Sequence, residues 1–136
     1  MQTPLPAKRA RILVVDDNDE VRSAVRDLLE ENGFLVSEAS NGKVALDLIT
    51  SALNPSLVIL DLAMPVMSGE ELLDIMDRYE RLSRLPVLVF SACRKSTIRQ
   101  GRPMVGFVSK PCDANALVAT VKACVNSGRG PSDTTN

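Results

Sequence analysis

The chain has 136 residues, 45% of them apolar and only 3% aromatic, enough for one domain whose core is mainly Val, Leu, Ile and Ala. A formal net charge of -1 argues against a general nucleic-acid binder, which carries a basic excess, so no direct nucleic-acid contact is expected. The complete lack of histidine excludes imidazole acid/base catalysis, histidine metal ligands and a phosphohistidine on this chain. No run approaches the roughly 20 apolar residues of a membrane span, and the N-terminus lacks the apolar core of a signal peptide. Cys93, Cys112 and Cys124 show no CxxC spacing and leave one thiol over in any pairing. They read as reduced thiols of a cytoplasmic protein and as small packing residues.

Residues 1–9, with Pro4, Pro6, Lys8 and Arg9, form a flexible lead, and the domain is expected over 10–126. Ile12-Leu13-Val14-Val15 is a buried strand ending in Asp16-Asp17. Asn18 or Asp19 can cap a helix running to about Glu31, with Val21, Ala24, Val25, Leu28 and Leu29 on one face and Gly33 as its stop. Phe34–Ala39 is a short strand, and Asn41-Gly42 turns the chain into a helix over about 43–52, with Val44, Ala45, Leu48 and Ile49 inward.

Leu57-Val58-Ile59-Leu60 is an unbroken apolar run that meets a carboxylate, Asp61, before a loop closed by Pro65. Such a run is a strand buried on both faces, as in parallel sheets covered by helices. Ser68 caps a helix over about 69–80. Val87–Phe90 is the fourth strand, ending at Ser91. The polar segment 93–103 is expected to hold only a short or irregular fourth helix, over about 95–101. Val105–Ser109 is the fifth strand, ending at Lys110-Pro111; Asp113 caps a last helix over about 114–126. Residues 127–136 have the composition of a disordered tail or linker. Strand and helix thus alternate five times, which predicts an α/β fold with a parallel sheet.

The polar residues fall at the C-terminal strand ends, the rim where open α/β sheets bind ligands. They are Asp16, Asp17, Asp61, Ser91 and Lys110. Singly, each has a plainer role as a cap, a turn hydroxyl or a solvated charge. Together they define a site. Three carboxylates repel one another, and a hard divalent cation such as Mg²⁺ relieves that conflict. A lysine and a hydroxyl beside it suit a tetrahedral oxyanion such as phosphate. With no histidine, a carboxylate is the natural phosphoryl acceptor.

The stretches VVDD (14–17), VILDLAMPVMSG (58–69), VFSA (89–92) and FVSKP (107–111) resemble, in order and spacing, the motifs of the response-regulator receiver domain of two-component signalling. The resemblance covers about residues 10–126. It implies a flavodoxin-like fold with strand order 2-1-3-4-5 and helices on both faces. It implies that Asp61 accepts a phosphoryl group from a histidine kinase or a histidine phosphotransfer protein. It further implies that Asp17, Asp61 and the Ala63 carbonyl bind Mg²⁺ directly and that Asp16 does so through water. Lys110 pairs with the phosphoryl oxygens, and Ser91 donates to them. Phe107 is the switch aromatic, and Lys110-Pro111 is a cis peptide. Such a domain is a switch that catalyses its own phosphorylation rather than an enzyme with turnover.

Two departures stand out. The segment between Ser91 and Lys110 is about three residues shorter than in common members and carries Arg94, Lys95, Arg99, Arg102 and Pro103 in place of an apolar helix. That region belongs to the face that members use for dimerisation and output, and a monomer or weak dimer is expected. Ala63 and Cys93 stand where members tune attack by water, which predicts slow self-dephosphorylation. A phosphohydrolase would want an aspartate at Ala63, and a nucleotide binder would want glycines where DDNDE stands. A pseudo-receiver that only binds partners would lack the acceptor, the lysine or the acidic pair, and all are present. The chain can be a stand-alone receiver or part of a longer regulator or hybrid kinase.

Overall fold

The structure, a computed structural model, describes residues 9–51, 53–92 and 104–127. The expected helix over 95–101, Cys93 and both terminal segments lie outside the described residues. The elements in order are β1 (Arg11–Val15), α1 (Asp19–Glu31), β2 (Leu35–Ala39), α2 (Gly42–Ser51), β3 (Leu57–Leu60), α3 (Gly69–Asp77), α4 (Glu80–Ser83), β4 (Val87–Ser91), β5 (Met104–Ser109) and α5 (Ala114–Ser127). The five strands form one parallel sheet in the order β2-β1-β3-β4-β5.

Strand alternation explains the two-sided core. Leu13 and Val15 of β1, Val58 and Leu60 of β3, and Val87 and Val89 of β4 pack on one face with Ala45, Ile49, Leu72, Met76 and Leu82 of α2, α3 and α4. Ile12, Val14, Leu57, Ile59, Leu88 and Phe90 point to the other, against Val25 and Leu29 of α1 and Leu117, Val121 and Cys124 of α5. Both faces of the three central strands are therefore dry, which is why those strands read as continuous apolar runs. Burial pushes the Cys124 thiol above its usual range, in keeping with a packing role.

The helix caps are those expected. The Asn18 side chain accepts from Val21 N, and Gly33 ends α1 at φ 92. Ser68 and Glu71 form a reciprocal capping box on α3. The Asp113 carboxylate accepts from Ala116 N at 3.2 Å.

Three expectations are corrected. Val44 is exposed rather than inward, because the buried line of α2 is Gly42, Ala45 and Ile49, which leaves position 44 just outside it. Ala24 of α1 is also exposed. The third helix does not run to residue 80: α3 stops at Asp77, Tyr79 is extended, and a separate turn, α4, follows. The break turns Leu82 and Leu85 back into the core, a burial contributing about 2 kcal/mol for each side chain. It also lets the Arg81 guanidinium cap the Ile49 carbonyl at the end of α2.

Among the described residues, one non-glycine backbone position is strained. Val66, in the loop after β3, has φ 68, a conformation a β-branched side chain rarely adopts. Its side chain is 75% exposed and contributes little packing. Val66→Asn should therefore stabilise the fold by about 1 kcal/mol, read as a higher urea midpoint. An unchanged or lower midpoint would show that the loop accommodates valine without cost.

Candidate functional site

The rim at the C-terminal strand ends is built by the sheet register. Val15 pairs with Leu60 across β1 and β3, so the residues that follow, Asp16 and Asp61, emerge side by side. Ser91 pairs with Ser109 across β4 and β5, which brings Lys110 to the same rim. Asp61 N donates to Val15 O at 3.0 Å, Asp16 N to Ala39 O at 3.1 Å, and Lys110 N to Ser91 O at 3.1 Å. These backbone bonds extend the ladder one residue beyond the strands and hold the polar side chains on rigid supports.

All five polar residues read from the sequence converge. Carboxylate oxygens of Asp16, Asp17 and Asp61 lie within 4.8 Å of one another. Asp16 and Asp61 are buried, whereas Asp17 is exposed. The Ser91 hydroxyl, with Ser91 wholly buried, donates to Asp61 Oδ1 at 2.8 Å. Lys110 Nζ lies 2.5 Å from Asp16 Oδ2 and 3.5 Å from Asp61 Oδ2, so one ammonium serves both buried carboxylates. Oxygen donors of this kind, with three negative charges against one lysine, fit a hard divalent cation at the open Asp17 side. Ala63 is exposed two residues past Asp61, and its N–H approaches Asp61 Oδ1 at 3.4 Å.

The Lys110–Pro111 peptide is cis. Phe107 lies on β5 opposite Val89, half-buried against the core on the α2–α3 side. An apolar groove of about 490 Å³ opens beside Lys110 and Pro111 and runs between α1 and α5, lined by Val21, Ala24, Leu28 and Leu117 among others.

Three further residues support the site and carry weaker signals in the sequence. Lys110 Nζ sits 5.4 Å from the centre of the Phe90 ring, a cation–π contact from a residue that reads only as core. Gly69 reads as part of a helix start, but its lack of a side chain lets α3 approach the Asp61 carbonyl. Arg22 donates to the Asp16 backbone carbonyl at 2.7 Å. Burial alone would lower the Arg22 pKa; hydrogen bonds to Asp19 and Glu38 outweigh it and raise it.

The comparisons with known proteins agree with this geometry. A family model, the response regulator receiver domain, matches residues 12–122. The chain is 36% identical over 114 residues to the uncharacterized 14.6 kDa protein in the sodA1 3′ region of Leptolyngbya boryana, covering 82% of this chain and 86% of that one. It is 34% identical over 119 residues to the sensor histidine kinase TmoS of Ectopseudomonas mendocina, covering 85% of this chain but only 12% of the kinase. Among solved structures, the signal receiver domain of a signal transduction histidine kinase from Syntrophus aciditrophicus superposes with a TM-score of 0.80 at 25% identity, covering 93% of this chain and 97% of that one. The chemotaxis response regulator CheY4 of Vibrio cholerae does so with a TM-score of 0.77 at 26% identity, over 86% and 99%. Among the described residues no helix is long and apolar enough to cross a membrane. With the family model matching residues 12–122 and relatives above 30% identity covering most of the chain, this protein belongs to the response regulator receiver domain family.

Proposed function

We propose that Asp61 accepts a phosphoryl group from a phosphohistidine of a histidine kinase or phosphotransfer protein, with Mg²⁺ as cofactor, and that the modified domain signals by protein contact. The observation that carries this reading is the convergence of Ser91 and Lys110 on the buried Asp61 carboxylate, beside Asp16 and Asp17. An Asp61 oxygen attacks phosphorus, the N–P bond of the donor breaks, and the imidazole leaves with its electron pair. Asp61 is held in line by the Val15 carbonyl and the Ser91 hydroxyl, so the reaction needs little more than placement and charge neutralisation. Lys110 is close enough to pair with the transferred oxygens, and Ser91 has a proton to donate to them. When bound by Asp17 and Asp61, with the Ala63 carbonyl and with Asp16 through water, Mg²⁺ neutralises negative charge on the phosphoryl group. Ser91 lies on β4 opposite β5, whose Phe107 is the aromatic expected to move with it. The phosphoryl group would thus bias an equilibrium between two states. The domain acts as a switch without turnover. Treatment with acetyl phosphate and Mg²⁺, borohydride reduction and peptide mass spectrometry should place the modification on Asp61; modification elsewhere, or none, would overturn the reading.

The similarity to TmoS and to a kinase-derived receiver structure makes a hybrid kinase a second setting for the same chemistry. In either setting the apolar groove between α1 and α5 adjoins Lys110, so a donor helix can seat there while its histidine faces Asp61. Ala24→Arg, at an exposed groove position, should slow phosphotransfer from a protein donor about tenfold, the effect of losing roughly 1.4 kcal/mol of contact energy. Labelling by acetyl phosphate should be unchanged. Equal loss with both donors would place the effect in the site rather than in docking.

A further inference from the structure

We infer that Arg22 is a positioning residue for the acidic loop, and that it sets divalent-cation affinity by orienting the peptide bond between Asp16 and Asp17. This rests on the reading of Asp16, Asp17 and Asp61 as a Mg²⁺ site. Asp17 is the ligand that most needs such help. Its carboxylate is exposed, and no hydrogen bond or ion pair among the described residues holds it. Among these residues its placement is left to its backbone. Asp16, by contrast, is secured at every polar atom: Oδ1 accepts from Asn18 N at 2.9 Å, Oδ2 from Lys110, and its amide bonds Ala39 O.

The peptide unit is planar, so fixing the Asp16 carbonyl also fixes the Asp17 N–H and narrows the direction in which Asp17 leaves the strand. Arg22 Nη1 makes that bond at 2.7 Å. The rest of its fork is held from β2 and from the first turn of its own helix. Nε donates to Glu38 Oε1 on β2 at 3.1 Å, and Nη2 to Asp19 Oδ1 at 2.7 Å. The second oxygen of Glu38 is held in turn by Arg26 Nη1 at 2.9 Å. The Arg22 side chain is only 14% exposed. A planar, three-point anchored guanidinium of this kind gives orientation that a lysine cannot reproduce.

Charge alone would act in the opposite direction, since a cation near a metal site repels the metal. Here Arg22 and Arg26 are offset by Asp19, Asp27 and Glu38, to which they are paired, so the cluster carries no positive excess to repel a cation. Orientation is the effect that remains, and groups that orient metal ligands are worth about 10- to 100-fold in affinity.

The test is Mg²⁺ titration by calorimetry of the whole chain as wild type, Arg22→Lys, Arg22→Gln and Glu38→Gln, with the melting temperature and the Mg²⁺-free Asp17 amide shift of each. Arg22→Gln should weaken Mg²⁺ about tenfold. Arg22→Lys keeps the charge and loses the fork; it should weaken Mg²⁺ nearly as much, with a shifted Asp17 amide and a melting temperature close to wild type. Glu38→Gln should fall in the same direction by a smaller factor. Wild-type affinity in Arg22→Lys, or tighter binding in Arg22→Gln, would overturn the inference while leaving the site reading intact. Wild type that fails to bind Mg²⁺ would overturn both. Should Arg22→Gln not fold, Arg22→Lys and Glu38→Gln decide the matter by the same criteria.

Discussion

Gly69→Ala is expected to lower the unfolding free energy by about 3 kcal/mol and to slow phosphorylation of Asp61 by roughly a factor of ten or more. A Cβ built at Gly69 would collide with the Asp61 carbonyl oxygen and lie 2.8 Å from Leu62 Cα. Both obstacles are backbone and cannot swing aside as a side chain would. Gly69 is not in a left-handed conformation, so the requirement is one of space. To relieve the clash, either the start of α3 lifts, breaking the 2.9 Å bond from Gly69 N to Leu62 O, or the strand end that carries Asp61 moves. The first loses helix capping and packing; the second displaces the acceptor. Ser68→Ala separates the two. It removes the cap, at about 1 kcal/mol, without touching Asp61, so its labelling rate should stay near wild type. Urea denaturation and acetyl phosphate labelling read both quantities. A Gly69→Ala variant with wild-type stability and rate would show that the contact yields without consequence.

Lys110→Ala is expected to have effects of opposite sign on metal binding and on phosphorylation. Without Mg²⁺, the substitution leaves two buried carboxylates, Asp16 and Asp61, with no cation among the described residues, which costs about 3 kcal/mol of stability. Added Mg²⁺ should restore much of that loss, because a ligand bound by the folded state stabilises it in proportion to occupancy. Mg²⁺ should also bind more tightly than to wild type, since the Lys110 ammonium no longer holds Asp16 Oδ2. Phosphorylation should nevertheless fall by about 100-fold, the usual cost of removing one fixed charge from a developing anion. Thermal melts across a Mg²⁺ series together with labelling rates test all four statements. Weaker Mg²⁺ binding in Lys110→Ala would mean that the lysine organises the carboxylates rather than competing for them.

The sheet and the rim were legible in the sequence because buried parallel strands leave two local signals: a continuous apolar run and a polar residue where the run ends. Leu57–Leu60 followed by Asp61 shows both. Site contacts between distant residues leave no such signal. The Arg22–Glu38 pair spans 16 positions and joins a helix to an edge strand, and nothing in either segment announces the other. Periodicity also overstates burial where a stripe is narrow: Val44 satisfies helical spacing yet lies outside the line of Gly42, Ala45 and Ile49. The end of α3 was hidden for a related reason. Glutamate and arginine residues permit helix through 78–81, and it is the burial of Leu82 and Leu85, a tertiary gain, that breaks it. The strain at Val66 was equally invisible, since a valine in a loop carries no mark of its φ.

Phosphoryl incorporation from acetyl phosphate, measured with and without Mg²⁺ on wild type and on Asp61→Asn, tests the central claim most directly. The account predicts incorporation in wild type with Mg²⁺ and its loss when either the metal or the Asp61 carboxylate is removed. Incorporation that persists in Asp61→Asn, or a folded wild type that binds Mg²⁺ and takes up no phosphate, would contradict it.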